Sequence, residues 1–298
     1  MENFILIFFT IFIGYCFNKF NVFPQESAAL LNKFVIYISL PAMILLQIPK
    51  LTLSFDILIP IIISWSVIIC SAVIILFLSK LLNFSKEITG ALMLVAVLTN
   101  SSFFGIPIIE AFYGVDALPY IMVYDQLGIF LALATYGTFI AAYYSAKSKI
   151  TISMISYKVI TFPPFIALCF ALFFIGTQFH TAIESLLTSL SATVVPVALV
   201  AVGLQLQFKL PKNDLQPLSI ALLVKLIIAP IIAITICTIF SWDNLASKVS
   251  ILEAAMAPMI TAGAMASAAG LAPRLSSAII GYGAILSFAT SYIFYKLI

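Results

Sequence analysis

The polar residues that could do chemistry in this 298-residue chain are few and sit inside apolar runs. LTNSSFFGIPIIEAFYG (98–114) carries Thr99, Asn100, Ser101, Ser102 and Glu110 around Gly105 and Pro107. EAAMAPMITAG (253–263) places Glu253 five residues before Pro258, with Met256 between them and Gly263 beyond. Asp125 and Gln126 lie in VYDQLG, and Lys225 lies in VKLII. A proline within a helix cannot donate to the carbonyl four residues earlier, so Pro107 frees Phe103 and Pro258 frees Ala254. In hydrocarbon each freed carbonyl needs a partner or a wet cavity. Oxygen-bearing side chains beside such breaks suit Na⁺ or a proton. Thr99, Asn100, Glu253 and Met256 form the expected cation-coupling set, with Asn100 and Glu253 as the residues for a bound Na⁺. The expected contacts for a small anionic substrate are Asn100, Ser101, Gly105, Pro107, Asp125, Gln126, Lys225 and Pro258. An Asp125–Lys225 ion pair is the structural alternative for those two charges, because membrane-depth charges usually pair. Glu110, close to Gly114, also fits an interfacial position.

The elements that position these groups must be membrane helices. The chain is 63% hydrophobic and only 8% charged, with mean hydropathy +1.21. A soluble domain needs roughly a quarter of its residues charged, so lipid must cover this surface. A helix needs about 20 apolar residues to cross the hydrocarbon. Ten spans are expected, near 3–18, 30–48, 56–79, 88–113, 117–144, 158–177, 184–207, 216–240, 248–270 and 275–295. Lys19, Lys33, Lys80, Lys86, Lys147, Lys149, Lys158, Lys209, Lys212 and Arg274 fall on one side of that arrangement, against Lys50, Lys248 and Lys296 on the other. The positive-inside rule then makes the basic side cytoplasmic and puts both termini outside. Residues 3–17 lack a basic leader and a small-residue cleavage site, so they read as a retained first span.

The polar stretch 145–157 divides the chain into two sets of five spans, 1–144 and 158–298. LLNKFVIYISLPAMILLQ (30–47) and LLTSLSATVVPVALVAVGLQ (186–205) each open on Leu-Leu, meet a proline and end on glutamine. An odd-numbered set forces the second copy in upside down. Interrupted helices at matching positions of inverted halves mark a transporter site. The expected architecture is therefore all-α, with ten transmembrane helices in two inverted five-helix repeats. Helices four and nine would be broken at Pro107 and Pro258.

KFVIYISLPAMIL (33–45), NSSFFGIPIIEAFYG (100–114), YDQLG (124–128), VAVGLQL (200–206) and EAAMAPMITAGAMASAAGL (253–271) resemble a bacterial member of the auxin efflux carrier family. That family includes the plant PIN carriers and malonate-type carriers. The resemblance implies a secondary transporter in a bacterial-type plasma membrane that moves a small organic anion, a carboxylate, by an elevator motion. The bundle holding the crossing would move against a scaffold built from spans one, two, six and seven. Asn100 and Glu253 resemble the sodium-site residues of the related bile-acid sodium symporters. The resemblance implies no cofactor beyond Na⁺ or H⁺ as coupling ion, and it leaves a homodimer open.

Other classes fit less well. No phosphate-binding G-x-x-x-x-G-K-[ST] loop occurs, which argues against an ATP-driven pump. There is one histidine, His180, and no second deep aspartate beside Asp125, so intramembrane protease chemistry lacks its groups. A net charge of +3 arising from loops gives no basis for nucleic-acid binding. Cys16, Cys70, Cys169 and Cys237 are far apart and without metal-ligand spacing. An anion channel is the remaining alternative, and it would need a continuous pore.

Overall fold

The computed structural model describes residues 2–24, 26–50, 55–145, 157, 160–205 and 214–298. These residues form helices and no strand. In chain order the helices are α1 (Glu2–Lys19), α2 (Ser27–Lys50), α3 (Phe55–Leu81), α4 (Lys86–Val95), α5 (101–113) and α6 (Val115–Tyr144). They continue with α7 (Pro163–Leu172), α8 (Thr181–Gln205), α9 (Leu215–Ile239), α10 (Leu245–Ala254), α11 (Ile260–Ala268) and α12 (Pro273–Leu297). Six of them (α2, α3, α6, α8, α9 and α12) are long and apolar enough to cross a membrane. The proposed divider 145–157 and Lys147, Lys149, Lys158, Lys209 and Lys212 lie almost wholly outside the described residues. Within the expected span 158–177, the described residues include the helix Pro163–Leu172, and Ile160 ahead of it is also helical.

The helices are apolar on both sides, as lipid requires. On α3, Ile69, Val73 and Phe77 recur every fourth residue and are 58%, 61% and 64% exposed, while Ile63, Val67 and Ile75 on the opposite face are buried. An apolar stripe of this kind facing outward is stable only against hydrocarbon.

Inside, α1 packs along α8, and α7 and the first half of α8 pack on the second half of α2. Small residues allow the closest of these approaches. A Cβ on Gly14 would run into the Val200 carbonyl of α8, and one on Gly203 would run into the Ile11 carbonyl of α1. The second half of α8 meets the first half of α2, so these helices run antiparallel. At their middles, the Ser39 and Thr193 hydroxyls share a 2.7 Å hydrogen bond. A second apolar cluster ties α3, α4, α6, α9, α10, α11 and α12 together.

α4 and α10 correspond closely. Each is ten residues long, starts 159 residues from the other, and opens on a polar N-cap. Ser85 accepts from the Ile88 N–H, and Asn244 forms a reciprocal capping box with Ser247. Such caps satisfy amides that a helix start leaves open. Each helix then stops, and a new helix begins at 101 or 260, again 159 residues apart.

The expected position of the first break needs correction. The fourth segment is interrupted at 96–100, upstream of Pro107, and Pro107 sits inside α5. Two local causes account for this. The Asn100 side chain caps the new helix by accepting from the Phe103 N–H at 3.2 Å. The wide turn Ser101–Gly105 already loosens the hydrogen-bond ladder ahead of the proline, which is how helices commonly absorb one. In the ninth segment Pro258 does stand in the break, and Met259 beyond it is extended.

Candidate functional site

The two interruptions lie against each other. Thr99 and Pro258 face one another in an antiparallel bridge. The Asn100 N–H donates to the Ala257 carbonyl at 2.9 Å, and the Met259 N–H donates to the Leu98 carbonyl at 3.1 Å. Thr99 and Pro258 are themselves 159 residues apart, the same offset as the helix starts, and these two bonds are the flanking pair of an antiparallel bridge. Buried peptide groups that the helices abandon are thereby paired across the break, as a lipid-surrounded core demands.

Lys225 completes this pairing. It is fully buried on the wide turn Val224–Ile228, and its Nζ donates to Thr99 Oγ1 at 2.6 Å and to the Ala254 carbonyl at 3.0 Å. Ala254 is the carbonyl that Pro258 cannot serve, and the ammonium takes the place of the missing N–H. The Asp125–Lys225 ion pair considered from sequence is replaced by these bonds. Asp125, 3% exposed, accepts instead from Ser101 Oγ, from Ser102 Oγ at 2.7 Å and from Gln126 Nε2 at 2.6 Å. Ser101 and Ser102 are the first residues of α5, so the carboxylate sits at a helix N-terminus, where the backbone dipole favours negative charge.

Glu253 has no exposed surface, and neither carboxyl oxygen has a hydrogen-bond partner. It packs against Gly105, where any Cβ would collide with its carboxyl group. Gly105 is therefore the space that lets α5 pass this side chain. Asn100 Nδ2 is also buried without a partner, since the Asn100 oxygen is committed to the cap. Glu253 lies within electrostatic reach of Lys225 and Asp125. An unpaired buried carboxylate costs several kcal/mol as an order of magnitude. Met256 is buried in the break behind it, with its N–H donating to the Glu253 carbonyl at 3.1 Å.

A cavity of about 70 Å³ opens beside the crossing. Asn100, Ser101, Ser102 and Asp125 line its polar wall, Met259 and Thr261 bring the start of α11, and Ile36, Leu40, Phe130, Leu133 and Phe162 close the rest. One water needs roughly 10–15 Å³ measured this way, so several small groups fit. Phe130 and Phe162 stack at 3.8 Å between ring centroids. Of the residues expected at a substrate site, the structure brings Asn100, Ser101 and Asp125 to this cavity. Lys225 is turned to the back of the crossing, and Gln126 holds Asp125. Pro107 lines a separate cavity of about 540 Å³ with Gln47, Lys50 and Glu110. Thr261, Phe130 and Phe162 were not anticipated from sequence. Thr261 stands 159 residues after Ser102, and that register is the signal that finds it.

The folded chain is thus an all-helical membrane protein with two interrupted helices meeting in its core. The chain belongs to the membrane transport protein family, whose model matches residues 1–295, and this bears out the resemblance to the auxin efflux carrier family drawn from its sequence. It is 27% identical over 265 residues to an uncharacterized transporter of Methanocaldococcus jannaschii, covering 86% of this chain and 85% of that one. It is 25% identical over 290 residues to an uncharacterized transporter of Methanothermobacter thermautotrophicus, covering 96% and 94%. Both relatives are archaeal, whereas the sequence resemblance had been drawn to bacterial members. Family and relatives are membrane transporters and not enzymes.

Proposed function

We propose that this protein is a secondary carrier for a small organic anion, a carboxylate, built as two inverted five-helix repeats. The observation that carries the reading is the cavity at the crossing, onto which the first turns of both α5 and α11 open. Two half-helix N-termini at the polar wall of one small, otherwise apolar cavity form a seat for a negatively charged group with an apolar remainder. The 159-residue offset shared by the helix starts and by the Thr99–Pro258 bridge supports the inverted-repeat architecture.

Two larger cavities support alternating access. One, about 540 Å³, adjoins Gln47 at the end of α2, and the other, about 430 Å³, adjoins Gln205 at the end of α8. Because α2 and α8 run antiparallel, these chambers lie toward opposite ends of the molecule. The helices around the crossing would move as an elevator against α1, α2, α7 and α8. The basic linkers make the side of Gln205 cytoplasmic, which leaves both termini outside the plasma membrane.

Glu253, with Thr99, Asn100 and Met256 near it, is the coupling group for a proton or Na⁺. Glu253→Gln keeps the shape and removes the charge. In proteoliposomes we expect it to abolish the response of uptake to an imposed proton or Na⁺ gradient while leaving exchange down the substrate gradient. Full gradient-driven accumulation by the variant would remove Glu253 from the coupling step. An anion channel would instead need an open path past the Phe130–Phe162 stack.

A further inference from the structure

Two half-helix N-termini around one cavity would ordinarily suit a ligand with two anionic groups, one for each. Here one of the two places is already filled. The Asp125 carboxylate accepts from the Ser101 and Ser102 hydroxyls at the very start of α5, and Gln126 Nε2 holds its other oxygen. Asp125 also lines the cavity, and among the described residues no lysine or arginine does. Lys225, the cation of the crossing, gives its hydrogen bonds to Thr99 and the Ala254 carbonyl, away from this wall.

The other place is open. α11 is nine residues long and presents Thr261 of its first turn to the cavity, and a helix start leaves its first amides without intrahelical partners. Asn100, 3% exposed, lines the same cavity with its Nδ2 unpartnered.

We propose that Asp125 is a built-in anion that occupies the α5 end of the seat and restricts the carried acid to a single carboxylate, which binds at the α11 end. The remainder of the substrate then lies against the apolar wall of Ile36, Leu40 and Phe130. A second carboxylate would have to sit beside Asp125, and like charges a few ångströms apart in a poorly hydrated site repel strongly. Asp125 is thus a specificity-determining residue. The inference rests on the carboxylate-carrier reading above.

The test is calorimetric binding at pH 7.5 to purified protein in detergent, using acids of matched chain length: propionate with malonate, and butyrate with succinate. Wild type should bind each monocarboxylate at least about 10-fold more tightly than its dicarboxylate partner. Asp125→Asn, which keeps the hydrogen-bonding shape, should raise dicarboxylate affinity about 10-fold relative to the monocarboxylate. Asp125→Ser serves the same purpose should the asparagine variant fold poorly, and the wild-type ratio alone is already decisive. Equal binding of both acids by wild type, or an unchanged ratio on removing the charge, overturns the role of Asp125 and leaves the carrier reading standing. Absence of binding by any of the four acids to any of the proteins overturns the carboxylate reading, and this inference with it.

Discussion

Three side chains divide the work at the crossing by what each can bond to. Lys225 supplies the hydrogen bond that Pro258 removes from Ala254, Asp125 is satisfied by three donors, and Glu253 has none. Lys225→Met should therefore act first on stability. It leaves the Ala254 carbonyl unpaired in the core, a loss of about 1–3 kcal/mol, read as a lower detergent melting temperature. An unchanged melting temperature would show that water or a neighbour serves that carbonyl as well. The place of Glu253 and Pro258 at the second break was legible in sequence, because a carboxylate and a proline in an apolar run are conspicuous there. The partner of Lys225 was not. Its bonds to Thr99 and Ala254 cross 126 and 29 residues of chain, and an aspartate in another span looked like the natural counter-charge until the serines of α5 were seen to hold it.

Several wide turns in these helices fall at residues proposed for the site, although another, Leu133–Gly137, holds none of the residues expected from sequence. Wide turns bear Ser39, Ser101 and Ser102, Asp125 and Gln126, and Lys225, and widened turns inside α-helices are frequent at functional sites. Sequence reading assigned the first break to Pro107, since a proline is the strongest visible breaker. The structure assigns it to 96–100, where the Asn100 cap and the pairing with Ala257 end one helix and start the next. Pro107→Ala is accordingly expected to leave the crossing intact and to change substrate affinity by less than about 2-fold, since surface-free helical changes away from a site act weakly. A larger loss of binding would restore Pro107 to the seat. The α1–α8 contact is more demanding. Gly203→Val places methyl groups inside the α1 backbone and should cost about 1–3 kcal/mol or more through overpacking. A detergent melt equal to wild type would show that the two helices can separate freely.

At the scale of the whole molecule, the composition alone identified a membrane protein, and the paired segments around 100 and 258 pointed to its centre. The helix boundaries of α4 and α10, the reciprocal bonds at Thr99 and Pro258, and the Ser39–Thr193 contact all relate the chain's first half to its second. Apolar helices carry little pairing information in their sequences, because hydrocarbon accepts most of their faces equally. The glutamines Gln47 and Gln205 are matching ends in the sequence, but the chambers beside them depend on how five helices pack around each. The central claim is that this arrangement operates as a carrier whose one seat is exposed to each side in turn. The most direct test is counterflow. Proteoliposomes holding purified protein and an excess of unlabelled monocarboxylate should transiently concentrate the labelled acid from outside, with uptake that saturates. Ion currents through single molecules in a planar bilayer, with no counterflow and no saturation, would contradict it.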